Sequence, residues 1–205
     1  MNMHPEAKED LLQKQIIKAA QQLYQTHGIA KVTMDDVARE IGKSRSSLYY
    51  YYKNKEEILA AAIDTETAEV VKELNRAVDR ADTLEEKIKI YFITRLKISQ
   101  KRGVLYDLID SSKNAGEVSE YIKEKHKKHV QFRQIEIPLF KNILNFGIDK
   151  GEIRAIDQKE QEALIFVLLS AIQGFKKELI IKNNFNTITP GIEMLIYLTM
   201  QGFKK

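Results

Sequence analysis

Apolar residues along this chain recur mainly at steps of three and four, the spacing that gathers them on one face of an α-helix, and no stretch alternates in the manner of a strand. A first helix is predicted from about Glu9 to His27, with Leu12, Ile16, Ala19, Ala20, Leu23 and Tyr24 on one face and Gly28 at the stop. Thr33 is a natural N-cap for a short second helix. Asp36 stands at its third position, Val37, Ala38 and Ile41 form its stripe, and Gly42 ends it. Ser44 can cap a third short helix, Arg45 to about Tyr51, whose inner face carries Leu48 and Tyr52. Asn54 can cap a fourth, from Lys55 to about Arg80.

Further along, Thr83 opens a fifth helix with Ile88, Tyr91, Phe92, Arg95 and Leu96, ending near Arg102-Gly103. A short sixth helix spans about Val104 to Ser111 and leads into a polar turn. A long helix follows from Val118 to about Lys150, expected to bend at Pro138, which has no N–H to give. The eighth helix covers Gln158 to Lys182, and a ninth starts after Thr189-Pro190 and ends near Phe203. The expectation is therefore an all-α chain of about nine helices.

Composition sharpens this picture. With 205 residues, 43% of them hydrophobic and 30% charged, the chain reads as globular and able to bury a core without crosslinks. Only three prolines and nine glycines interrupt it, which favours long helices. Cysteine is absent, so disulfides and thiolate chemistry are excluded, in keeping with a reducing cytoplasm. The charged stretch Met1 to Gln13 does not read as a signal peptide. The apolar run Ala163 to Ile172 falls well short of the roughly 20 residues a membrane span needs and reads as a buried helix.

Charge placement then singles out one segment. The chain carries a net +4, and Lys43, Arg45, Lys53 and Lys55 supply as much between positions 43 and 55, with no acid among them. A local basic patch of this kind suits a phosphate backbone, although a solvated basic turn also fits the charges alone. The patch lies on two short helices joined at Gly42, the arrangement of a helix-turn-helix. The second of the pair would be the recognition helix, with Arg45, Ser46 and Ser47 in the first turn, where such a helix meets base edges. Arginine can take both acceptors of a guanine edge at once. Four tyrosines follow, Tyr49 to Tyr52. Successive helix positions turn by about 100°, so they cannot all face one core. With Tyr52 beside Leu48, the other three are expected at the surface, where hydroxyls near lysines can hold phosphates.

At this point the chain resembles the DNA-binding domain of the TetR/AcrR repressors. The resemblance rests on Ile17, Ala19-Ala20, Leu23, Gly28, Thr33, Val37-Ala38, Gly42, Ser44, the run from Leu48 to Glu57, and Leu59. It implies a helix-turn-helix domain over residues 1–54 and a helical effector-binding and dimerisation domain over residues 55–205. Thr33, Tyr49, Tyr50 and Lys55 would hold phosphates. Arg45 and Ser46 would read bases, flanked by Lys43 and Ser44, and Tyr51 stands where the family often has histidine. The implied protein is a sequence-specific homodimer that binds operator DNA and is released by a small-molecule effector, needing no cofactor or metal and no membrane.

Beyond this domain the resemblance is architectural, with one local echo at Phe146 to Arg154. It implies an effector pocket lined by Tyr91, Phe92, Arg95, Tyr106, Phe132, Phe140 and Phe166, residues for which core packing is the competing reading. A cation at Arg95 on an apolar face needs a partner, which an acidic effector, Asp107, Asp110 or Glu162 could supply. The last two long helices carry more apolar residues than one core stripe needs, and Leu164, Leu168, Ile172, Phe175, Leu195 and Leu198 are expected at the dimer interface, with deep burial within the monomer as the competing reading. No catalytic constellation stands out. His126 and His129 have the spacing of a metal pair, but their Lys-rich surroundings equally describe a solvated face. Two other readings remain open at this level, a helical protein–protein adaptor and a non-specific nucleic-acid binder.

Overall fold

The structure is a computed structural model that describes the backbone of residues 5–29, 31–111, 118–182 and 184–204, and the side chains of residues 10–29, 31–100, 132–179, 181–182 and 184–204. Its described residues form eight α-helices and one 3-10 turn, with no strand. In order these are α1 (Pro5–His27), α2 (Met34–Glu40), α3 (Arg45–Tyr51), α4 (Lys55–Val78), α5 (Leu84–Ser111), α6 (Val118–Asp149), α7 (Gln158–Lys182), the 3-10 turn Phe185–Thr187, and α8 (Thr189–Gly202). The all-α expectation holds. The count differs by one because the predicted fifth and sixth helices are continuous in α5, which runs through Gly103. A single glycine inside a helix costs only about 1 kcal/mol, so it need not end one.

Local sequence explains most boundaries. Asn54 Oδ1 accepts the Glu57 N–H (2.8 Å) at the start of α4, and Thr83 Oγ1 accepts the Glu86 N–H (3.2 Å) at the start of α5. Proline stands in the first turn of α8. Gly42 ends α2 with φ 63°, and the Lys43 and Gly42 N–H groups return to the carbonyls of Ala38 (2.9 Å) and Arg39 (3.1 Å). This is the Schellman closure, which a residue with a Cβ adopts only with strain.

The chain forms two compact units, Met1–Glu69 with Arg102–Tyr121, and Val70–Lys101 with Ile122–Lys205. The first is built on Ile16, Ala20 and Tyr24 of α1, Val37 and Ala38 of α2, Leu48 of α3, and Ile58, Ala62 and Ile63 of α4. The second takes Val70, Leu74 and Val78 from the end of α4, together with buried residues of α5, α6, α7 and α8. The two units divide inside α4, because the first turns of that helix complete the core of the three before it.

The second unit is stitched by one capping contact across 68 positions and one across nine. Glu152 Oε2 accepts the Leu84 N–H at 2.7 Å, and the buried Lys87 Nζ donates to the Val78 carbonyl at 3.0 Å while lying 4.5 Å from the centre of the Phe146 ring. The first satisfies a backbone N–H that the start of α5 leaves without a partner within the helix, and the second adds to the bond that the Val78 carbonyl accepts from the Ala81 N–H (3.2 Å). Gly147 packs directly on the Leu84 side chain, leaving no room for a Cβ. Among the described residues, no helix is long and apolar enough to cross a membrane.

Candidate nucleic-acid interface

α2 starts at a reciprocal cap. The Asp36 N–H donates to Thr33 Oγ1 (3.3 Å), while the Thr33 N–H and hydroxyl both donate to Asp36 Oδ2 (3.0 and 2.6 Å). Those bonds from Thr33 hold the Asp36 carboxyl below the usual carboxylate range. The Thr33 side chain is exposed, but its hydroxyl is already engaged in the cap. A phosphate arriving there would meet a group with a partner.

α3 is capped by Ser44, whose Oγ accepts the Ser47 N–H (3.3 Å) and lies 2.9 and 2.8 Å from the hydroxyls of Ser46 and Ser47. Leu48 is the fully buried residue of α3 and anchors it to the first core. One anchored row leaves the remaining directions open. Lys43, Ser44, Arg45, Ser46, Tyr49 and Tyr50 are exposed, with Tyr50 at 74%.

Tyr51 departs from expectation. It is half-buried against the first core, as is Tyr52, and its ring stands edge-on to that of Tyr50 with centroids 5.0 Å apart. Tyr51, three positions after Leu48, shares its side of the helix, and Tyr52 reaches the same core where the chain leaves the helical path, with φ −139° and ψ 124°. Burial pushes the Tyr52 phenol up from its ordinary value. Lys55 is half-buried at the first position of α4, with its carbonyl 3.5 Å from the Tyr24 hydroxyl.

Arg45 has a partner that the sequence pattern does not reveal. Its Nη1 donates to Asp35 Oδ2 and its Nη2 to the Tyr49 hydroxyl, both at 3.0 Å, and its guanidinium lies 5.4 Å from the centre of the Tyr49 ring. Asp35 lies ten positions earlier on α2, and only the packing of α2 on α3 brings the two together.

The second unit gathers Tyr91, Phe92 and Phe140 in full burial, with the Tyr91 ring 4.4 Å from Phe140 and 6.0 Å from Phe92. Arg95 lies beside them. Its Nε donates to Glu136 Oε1 (2.9 Å), its Nη1 to Ser99 Oγ (2.9 Å), and its plane sits 4.3 Å from the centre of the Phe132 ring. The Tyr91 hydroxyl donates to the same Glu136 oxygen at 2.5 Å. Desolvation, followed by the neighbouring Glu136 charge, pushes the Tyr91 phenol well above its ordinary value. The partner of Arg95 is therefore Glu136. Glu162, one of the expected partners, is exposed and accepts from Gln158 instead (2.8 Å). A signal for Glu136 was present, since it stands four positions from both Phe132 and Phe140 on one helical face. Tyr106, Asp107, Asp110, His126 and His129 lie outside the described side chains.

Two expected placements are corrected on α7 and α8. Phe166 is 60% exposed and does not join the Tyr91 cluster. Leu164, Leu168 and Ile172 are buried in the second core, and Phe175 and Leu195 pack against it. Of the six expected interface residues, Leu198 alone is largely exposed, and the outward apolar set also includes Phe166, Val167, Ile181, Met194 and Tyr197. α7 is apolar on two faces, and periodicity alone does not say which one turns inward.

Residues 16–62 match the sequence profile of the bacterial regulatory proteins of the tetR family. Over 160 residues the chain is 23% identical to the uncharacterised HTH-type transcriptional regulator YfiR of Bacillus subtilis (strain 168), covering 78% of this chain and 76% of that one. Its fold is similar to that of the fatty acid degradation regulator FadR of Bacillus halodurans, with TM-score 0.66 at 18% identity over 96% of each chain. It is also similar to FadR of Bacillus subtilis, solved in complex with stearoyl-CoA, with TM-score 0.65 at 17% identity over 93% of this chain and 98% of that one.

Proposed function

The chain is a TetR-family transcriptional regulator, and from that premise we propose that it acts in the cytoplasm as a homodimeric repressor, holding operator DNA through α3 and releasing it when a small molecule occupies the second unit. The observation that carries this reading is the surface of α3. Arg45, Ser46, Tyr49 and Tyr50 stand exposed beside Lys43 while Leu48, fully buried, and Tyr51, half-buried, hold the helix to the first core. Arg45 and Ser46 read base edges. Tyr49, Tyr50, Lys43 and Lys55 hold the flanking phosphates, and Thr33 joins them once its hydroxyl turns from Asp36.

The homodimer forms through the outward apolar faces of α7 and α8, at Phe166, Val167, Met194, Tyr197 and Leu198. Pairing there sets the two recognition helices about 34–36 Å apart, one turn of B-DNA. The effector enters among Tyr91, Phe92, Arg95, Phe132 and Phe140. The stearoyl-CoA held by the B. subtilis FadR neighbour supports a small-molecule ligand for this fold. Coupling runs through α4, which gives residues to both cores. Effector and operator then weaken each other reciprocally.

The test is enrichment of duplexes from a random-sequence pool, followed by competition against scrambled DNA at several salt concentrations. One near-palindromic sequence bound far more tightly than its scramble is expected. Equal, steeply salt-dependent binding to every sequence would instead identify a non-specific binder.

A further inference from the structure

Arg45 is not free to meet DNA. Both terminal nitrogens of its guanidinium are engaged, Nη1 by Asp35 Oδ2 and Nη2 by the Tyr49 hydroxyl. Asp35 thereby sets a carboxylate against a segment, positions 43–55, that contains no acid of its own. The two kinds of DNA contact open to Arg45 respond differently to this. A phosphate can accept two hydrogen bonds from the guanidinium, but it brings a negative charge that the Asp35 carboxylate, already 3.0 Å from Arg45 Nη1, repels. A guanine edge offers two acceptors in the plane of the guanidinium, and their hydrogen bonds replace the ones given up. Tyr49 completes the arrangement. Its oxygen accepts from Arg45, which leaves its own proton to donate to a phosphate, so a phosphate held there keeps Arg45 in position.

We propose that Asp35 is a specificity-determining positioning residue, an internal competitor that holds Arg45 away from backbone phosphates and gives it up to a guanine edge. The inference deepens the regulator reading above and rests on it. Asp35 weakens binding to arbitrary sequence more than binding to the operator, a repulsive element of the kind that separates right from wrong partners.

The experiment uses the full chain, D35N, R45A and the double variant, with matching thermal melts as the check on folding. The probes are the duplex that the wild-type chain enriches from a random pool and a scramble of equal length and composition. D35N is expected to bind the scramble more tightly, with the slope of log Kd against log salt steeper by nearly one per protomer. The ratio of operator to scramble affinity is expected to fall about two- to fivefold, the range of an exposed ion pair. In the R45A background, D35N is expected to leave the ratio unchanged. An unchanged ratio for D35N alone, or an equal change with and without Arg45, overturns the proposal and reduces Asp35 to one negative charge among others. A wild-type chain that enriches no sequence overturns the regulator reading and this inference with it, a result distinct from either of those.

Discussion

α3 and α7 are both helices with more large side chains than one core can take, and they differ in what they leave outside. α3 buries Leu48 fully and exposes Arg45, Ser46, Tyr49 and Tyr50, groups that all end in a hydrogen-bonding atom. α7 buries Leu164, Leu168 and Ile172 and exposes Phe166 and Val167, which end in carbon. A surface of hydroxyls and guanidinium can bind phosphate and base edges while remaining hydrated in their absence. A surface of carbon gains only by being covered, at roughly 25 cal/mol per Å² of apolar area removed from water. The chemistry of the exposed face therefore separates α3, whose outward groups stay hydrated by themselves, from α7, whose outward carbon gains from being covered.

The largest effect that would break this comparison is loss of the α3 anchor. Leu48→Ala is expected to cost about 2–5 kcal/mol by leaving a cavity in the first core. DNA binding should be lost along with the stability read in a denaturant titration. Full operator binding by a destabilised Leu48→Ala protein would mean that α3 needs no anchor. Next comes the carbon face. Phe166→Glu, or Leu198→Glu on α8, should weaken self-association by about 2 kcal/mol or more, roughly thirtyfold, as central interface residues do. Sedimentation velocity on a folded variant reads this directly, and an unchanged mass at the same dilution would remove that face from the interface.

Arg45→Ala should then cost about 1–3 kcal/mol of discrimination at one base pair. Its melting temperature should stay at the wild-type value, because Arg45 is exposed and its ion pair contributes little stability. Competition binding against single-base variants of the enriched site checks it. The smallest effect belongs to Tyr24, whose phenol is pushed from the ordinary 10.0 up to about 12, chiefly by burial. The folded chain keeps this phenol neutral where the unfolded chain has already ionised it. Its contribution to stability is therefore complete below pH 10 and lost as pH rises from 10 towards about 12. Melts across that range should fall more steeply for the wild type than for Tyr24→Phe.

The fold was largely legible because its signals are local. Thr33 with Asp36, Ser44, Asn54 with Glu57, and Thr83 mark helix starts by bonds that span three residues, and Gly42 marks a stop by its own backbone freedom. Gly103 misled for the same reason in reverse. A glycine permits a stop without requiring one, and the residues around it carried α5 onward. At the site, the exposure of Arg45, Ser46, Tyr49 and Tyr50 followed from Leu48 being the inward residue. Tyr51 did not follow from an inner face drawn through Leu48 and Tyr52 alone, whereas Tyr51, still helical and three positions after Leu48, shares that face.

Where helices begin, which residues share a face, and that a short serine- and tyrosine-rich helix follows Gly42 were all written in the sequence. Each of these depends on neighbours within four or five positions along the chain. Tertiary structure alone decided that Asp35 meets Arg45, that Glu136 rather than Glu162 neutralises Arg95, and that α7 turns Leu168 inward and Phe166 outward. Those outcomes depend on which helix lies against which. An ion pair forms between whatever side chains the packing brings within reach, and a helix apolar on two faces buries the one its neighbours cover.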